Sequence, residues 1–187
     1  MRTNNKIIII LGTAHLKSTP GKCSPDGKFK EYIYSRKICK AVQKILQDMG
    51  YTVFIDIEDE DLKLSPSQEL CQRCKIVNDL YKVYENCIYI SIHVNAAASD
   101  GKWHNATGWE AYTSPGITKA DKLVKYLYDA AEYNLKGKRI RRGDRGYGKE
   151  SNLYVLKHTL CPAVLTENFF QDTKSDVEFL LSDVGFH

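Results

Sequence analysis

CIYISIHVNAAA, residues 87 to 98, opens with six mostly apolar, β-branched or aromatic positions and then turns to a histidine, an asparagine and three alanines. An apolar run this short, without strict alternation, is what a strand covered on both faces looks like. Three further runs share the character: KIIIIL at 6–11, TVFIDI at 52–57 and AVLT at 163–166. Helical periodicity fills the intervals. From Glu31 to Met49, Tyr34, Ile38, Val42, Ile45 and Met49 form one apolar stripe, and Gly50 closes the element. Ser65-Pro66-Ser67-Gln68 reads as a capping box with proline at the first helical position, opening a helix that runs to about Tyr84. A third helical pattern spans 119–134, Ser175 to Glu178 reads as the cap of a last helix, and TGWEAYT at 107–113 alternates like a strand with one exposed face. Strands alternating with helices predict an α/β fold, a mostly parallel twisted sheet with helices on both faces. Nothing in the chain resembles an interdomain linker, so one domain over residues 1–187 is expected.

Composition narrows the classes. With 43% hydrophobic residues the chain can close a core, and no apolar run approaches the roughly 18 residues of a spanning helix, so no membrane insertion is expected. The run IIIIL is also shorter than the roughly 7 to 15 residues of a signal-peptide core. Six cysteines read as buried free thiols, since a domain of this size has no need of disulfides and several sit inside apolar patterns. The pair Cys71 and Cys74 lies in a helical stretch without the second pair that a zinc knuckle requires. The net charge of +4 is mild and concentrates in KGKRIRRGDR at 136–145, a stretch that serves equally as a solvated loop or as a contact for an anionic polymer.

In an open parallel sheet, sites form beyond the carboxyl ends of the strands. There the sequence places His15, four residues after the first run, His93 directly after the third, and Glu167 directly after the last; Glu31 opens the first helix on the same edge. Two imidazoles and one carboxylate form a catalytic zinc set that leaves a position for water, and the second glutamate is then free to act as a base. Each has a plainer reading. His93 suits a hydrogen-bonded core, His15 an exposed loop, and Glu31 a first helical turn, where the dipole favours a carboxylate. Glu167 is harder to set aside, because a carboxylate ending an apolar strand is costly to bury alone. His104 and His158 read as loop and structural residues, and no G-x-S-x-G elbow supports a serine nucleophile.

At these residues the chain resembles the zinc-dependent N-acetylmuramoyl-L-alanine amidases of the Amidase_3 type. LGTAH ends on His15 where that family carries a glycine-rich histidine loop, and Lys30-Glu31 opens the first helix. Ser91-Ile-His-Val-Asn-Ala96 matches S-I-H-x-N-A, Gly108-Trp-Glu-Ala-Tyr112 matches G-x-E-x-Y, and LYVLKHTLCPAVLTE ends on Glu167. The resemblance covers nearly the whole chain. GTAH departs from the usual Gly-His-Gly, and the chain stops soon after FLLSDVGFH, where the family often has a further helix. The resemblance implies one Zn²⁺ per chain on His15, Glu31 and His93, with Glu167 as the catalytic base. Asn95, Glu110, Arg142 and Arg145 are candidates for substrate binding. The implied partner is peptidoglycan, cleaved at the amide between the lactyl group of N-acetylmuramic acid and L-alanine by a monomer that binds no nucleic acid. The implied setting is a protein made in the cytoplasm that reaches the wall as a phage lysin or by export, or the mature form of a secreted protein. A zinc peptidase acting within the stem and a wall-binding module without turnover stand as alternatives.

Overall fold

The computed structural model describes residues 6–144 and 146–186. Alternate side chains of β1 (Ile8–Thr13) go to opposite faces: Ile8 and Ile10 join one apolar cluster, Ile9 and Leu11 another. Burial on both faces is why this strand lacks polar alternation. The chain then passes through α1 (Glu31–Asp48), β2 (Thr52–Ile55), α2 (Pro66–Tyr84), β3 (Cys87–Asn95) and β4 (Trp109–Thr113). It continues through α3 (Ala120–Asn134), β5 (Lys149–Glu150), α4 (Tyr154–His158), β6 (Ala163–Phe170), α5 (Lys174–Leu181) and α6 (Asp183–Phe186). The strands join in the order β2-β1-β3-β6-β4-β5, all neighbours parallel except β4 against β6. Residues of α2 and α4 pack with Ile10, Tyr89 and Leu165 on one face, whereas α1 packs with Ile9, Leu11 and Ile92 on the other. Helix α3 and Val177 and Leu180 of α5 close a third cluster over Val94, Trp109, Ala111 and Val164.

This is the α/β sheet with helices on both faces that the sequence predicts, and the capping box at Ser65 forms: the Ser65 hydroxyl accepts from the Gln68 amide while Gln68 accepts from the Ser65 amide. Four local expectations are corrected. Strands β3 and β6 run past their apolar stretches, so His93 and Glu167 lie within strands rather than after them, and β1 runs to Thr13, two residues short of His15. Ile45 and Met49 are exposed, because the contact face of α1 runs through Ser35, Ile38, Cys39, Val42 and Leu46 instead. Thr173, not Ser175, precedes the first turn of α5, without a side-chain cap. Finally, β4 has no exposed face: Glu110 is 1% exposed.

The order places a topological switch between β1 and β3: β2 lies on one side of β1 and β3 on the other, with α1 and α2 leaving on opposite faces. Such a split opens a crevice at the carboxyl ends of the two strands.

Candidate active site

His15 stands over that crevice. It has a left-handed backbone with φ of 45°, a strained conformation that histidine tolerates better than branched residues but that still costs on the order of 1 kcal/mol. Several buried groups hold it. Arg36 Nη1 donates to the carbonyls of Ala14 (3.1 Å) and His15 (2.9 Å). The Ser35 hydroxyl accepts from the Ala14 amide and donates to the Ile92 carbonyl, both at 2.7 Å, so one side chain of α1 ties the β1 loop to β3. Without a glycine beside it, His15 itself takes up the turn.

Glu31 starts α1 and is 1% exposed. Its Oε1 lies 3.1 Å from His93 Nδ1 and accepts from the Val94 amide at 3.0 Å, while Oε2 lies 3.5 Å from His15 Nε2. The imidazoles of His15 and His93 meet edge to face with ring centres 5.1 Å apart. One ligand atom from each of His15, Glu31 and His93 falls within 4.8 Å of the others, the one such cluster among the described residues. Burial alone would push the Glu31 carboxyl up, but the hydrogen bond to His93 and the two imidazoles hold it below its usual value. Burial brings His15 down to about 3, against the pull of Glu31, which leaves it neutral at pH 7 with a lone pair to offer a metal. Glu31 Oε2 is buried and has no hydrogen-bond partner.

Glu167 pairs in register with His93 across β3–β6 and with Glu110 across β6–β4, so all three side chains share the face that α2 and α4 cover. Beyond this point β6 holds an extra residue: Asn95 of β3 pairs with Phe170, and Phe169 has φ of 66°. Bulges of this kind turn a strand beside a site. Burial, with the Glu31 and Glu110 carboxylates nearby, raises Glu167 well above its ordinary value, and its Oε2 also lacks a partner. A cavity of about 310 Å³ is lined by His15, Glu31, His93 and Glu167, with Leu70, Tyr154 and Val155 supplying apolar surface.

The remaining candidates lie at different distances from this cavity. Asn95 also lines it, and its Nδ2 donates to Glu110 Oε1 at 2.7 Å. Glu110 accepts further from the Tyr112 hydroxyl, Arg141 and Lys149, so it is the centre of a polar cluster under β4. Arg142 faces a separate cavity with Tyr112 and Lys149 and pairs with Glu132; Arg145 lies outside the described residues. His104 pairs with Asp100, and His158 stacks on Tyr154 at the end of α4. Cys71 and Cys74 belong to no metal cluster among the described residues; all six thiols are free, but Cys23 in the loop ahead of α1 and Cys71 on α2 are exposed rather than buried. Sequence reasoning missed Lys22 in the cavity lining, and it missed the buried Asp56–Arg73–Glu69 group beneath it. Lys22 follows no apolar strand; Asp56 does follow β2, but its partners Glu69 and Arg73 lie inside a helix and carried no positional signal.

The family model for N-acetylmuramoyl-L-alanine amidases matches residues 9–185. The chain belongs to that family. It is 30% identical over 180 residues to the endolysin of Bacillus phage SPP1, covering 94% of this chain and 59% of that protein. Over 99 residues, half of this chain and 32% of the other, it is 32% identical to the N-acetylmuramoyl-L-alanine amidase CwlM of Bacillus licheniformis. This family member thus spans about three-fifths of the phage endolysin it matches. Among solved structures, the fold matches the N-acetylmuramoyl-L-alanine amidase of Clostridium difficile 630 with a TM-score of 0.78 at 23% identity, covering 96% of this chain and 88% of that one. It matches Ami1 of Mycobacterium smegmatis with a TM-score of 0.77 at 16% identity, covering 96% and 89%. Among the described residues, no helix is long and apolar enough to cross a membrane.

Proposed function

We propose that the chain hydrolyses the amide between the lactyl group of N-acetylmuramic acid and L-alanine in peptidoglycan, with one zinc ion held by His15, Glu31 and His93. The observation that carries the metal assignment is Glu31 Oε2: a buried, unpartnered carboxylate oxygen within 4.8 Å of two imidazole ligand atoms fits a cation. Two nitrogens and one carboxylate oxygen form a catalytic zinc donor set, and an unpaired buried carboxylate oxygen is otherwise expensive to keep. Zinc bound there would polarise the scissile carbonyl and acidify a water toward neutral pH.

The rest is the work of side chains. His15 offers a neutral nitrogen, and Ser91 Oγ, 3.1 Å from His93 Nε2, helps to orient the His93 ring. Glu167 accepts the proton of the attacking water and passes it to the leaving amine of L-alanine. Burial, with the Glu31 and Glu110 carboxylates nearby, raises its affinity for a proton, which suits the acceptance of the water's proton. Asn95 braces the end of β3 against Glu110. In this reading Arg142, on its separate cavity, meets the stem peptide farther from the cleaved bond. All four principal residues come from one chain, so the reading needs no second copy. The relatedness to a phage endolysin favours wall lysis as the setting.

Digestion of purified sacculi followed by mass spectrometry tests the bond: free lactyl and L-alanine ends are expected, whereas cuts within the stem would make the protein a peptidase. Glu167→Gln is expected to retain one zinc by metal analysis while losing at least about 100-fold in rate. His93→Ala is expected to lose the metal. A Glu167→Gln protein as fast as the unmodified one would refute the proton-transfer role.

A further inference from the structure

One cation in the cavity has no task in the preceding mechanism. Lys22 lines it together with His15, Glu31, His93 and Glu167. The other strongly basic residue of the lining, Arg73, is 2% exposed and gives its guanidinium to Asp56, Glu69 and Thr13. Lys22 is partly buried and forms no ion pair among the described residues. Its backbone is nonetheless fixed. The Lys22 carbonyl accepts from the Glu31 amide at 3.1 Å, Cys23 bridges Lys30 in antiparallel fashion, and the Ser24 amide donates to the Phe29 carbonyl at 3.0 Å. Gln171 Nε2, just past β6, donates to the carbonyl of neighbouring Gly21 at 3.3 Å. A short hairpin therefore carries Lys22 and delivers Glu31 onto α1 as one unit, and the charge of Lys22 is felt at both His15 and Glu167.

A lysine on a fixed backbone, without an ion-pair partner among the described residues, in a cavity whose other strong cation is already engaged, is suited to an anion that arrives with the substrate. When the scissile carbonyl sits over the ligand cluster, the nearest anionic group of a stem peptide is the carboxylate on the residue after L-alanine. That group lies roughly 7 Å along an extended chain, one Cα step beyond the alanine. In peptidoglycan this carboxylate occurs either free or as its primary amide, which has the same shape and no charge. We propose that Lys22 binds this carboxylate and makes the protein select stems that keep it free over stems in which it is amidated. The inference rests on the amidase reading above.

The test compares two substrates with the zinc-loaded protein: N-acetylmuramoyl-L-alanyl-D-glutamate and its counterpart ending in D-isoglutamine, which differ by one oxygen and one amide nitrogen. A charged hydrogen bond predicts a preference for the free carboxylate of roughly ten-fold in kcat/KM, expressed mainly in KM. Lys22→Met is expected to bring the ratio to about one, Lys22→Arg to keep it, and Lys22→Glu to invert it. Equal cleavage of both substrates by the unmodified protein would overturn the role of Lys22 and leave the amidase reading standing. So would a ratio that Lys22→Met leaves unchanged, which is the outcome expected if Lys22 only supports Glu167. Release of the lactyl end from neither substrate would overturn both.

Discussion

Replacing Arg73 with leucine probes the buried ion network beneath the cavity. The guanidinium donates through Nη1 to Asp56 Oδ2 (2.8 Å) and Thr13 Oγ1 (3.1 Å), and through Nε and Nη2 to Glu69 Oε1 (3.1 and 2.9 Å). Asp56 is the hub. Its Oδ1 accepts from the amides of Thr13 and Ile57 at 2.9 and 2.6 Å and from the Thr13 hydroxyl at 3.2 Å, and its Oδ2 also accepts from the Tyr89 hydroxyl at 2.9 Å. Leucine would strip Glu69 Oε1 of its donors and leave Asp56 and Glu69 without the guanidinium that pairs them directly. Removing one partner of a buried pair costs about 3 to 5 kcal/mol. The donors that survive on Asp56, and Thr19 on Glu69, place the expected loss at the low end, about 3 kcal/mol. Urea titration would read this as a lowered midpoint, and thermal melting as a fall of roughly 6 to 12 °C. Adding Asp56→Asn and Glu69→Gln to Arg73→Leu should recover part of the loss, because uncompensated charge is what destabilises the single variant. A loss below about 1 kcal/mol, the scale of a solvated surface pair, would refute the reasoning.

Two further predictions follow from burial. Glu167 is raised well above the ordinary carboxyl value, so the folded, metal-free chain keeps a proton that the unfolded chain releases. That contribution is complete below about pH 4.5 and is lost as pH rises toward the folded value. Melts of the metal-free protein should therefore show Glu167→Gln gaining on the unmodified chain from about pH 5 to pH 8, with the two coinciding near pH 4; a gap constant with pH would contradict this. His15 has the opposite sign: brought down to about 3, it contributes above pH 6.5 and loses that contribution as pH falls, equally in both proteins. At Gly12, a Cβ would overlap the phenol of fully buried Tyr89 on the neighbouring strand. Gly12→Ala is expected to cost about 1 to 3 kcal/mol by urea midpoint, and an unchanged midpoint would show that Tyr89 can move aside.

The sequence made the sheet readable wherever burial on both faces forced apolar residues into short runs, as in β1 and β3. It concealed the strand ends, because pairing continues through residues whose burial is polar. His93, Asn95 and Glu167 lie inside strands, yet to a reading based on hydrophobicity they resemble the start of loops. The same reason hid Glu110: a carboxylate at 1% exposure between Arg141 and Lys149 looks like an exposed strand position until its counter-charges, more than 30 residues away, are placed. The stripe on α1 failed at its far end, where Ile45 and Met49 lie off the contact face that continues through Val42 and Leu46. His15, Glu31 and His93 could be proposed because each sits at a strand end or helix start that topology brings to one edge. Lys22 and Arg73 could not, because their positions depend on a hairpin and a buried ion network that no periodicity marks.

The departures from a fully satisfied interior fall in one place. Among the described residues, four buried side-chain polar atoms lack a hydrogen-bond partner: Glu31 Oε2, Glu167 Oε2, Arg36 Nη2 and Gln171 Oε1. Two face the cavity, Arg36 clamps the His15 loop, and Gln171 holds the carbonyl beside Lys22. Of the three non-glycine residues with left-handed backbones among the described residues, His15 and Phe169 flank the same spot, one before α1 and one at the β6 bulge, while Glu85 closes α2 just before the start of β3. Buried polar atoms are nearly always paired, and strained residues persist only where surrounding contacts enforce them, so chance would scatter such features through the fold. The convergence of the unpaired atoms on the switch between β1 and β3 supports the cation and substrate proposed there. In the proposed reading metal binding is stabilising: a cation beside Glu31 Oε2 would give that buried oxygen the partner it lacks among the described residues.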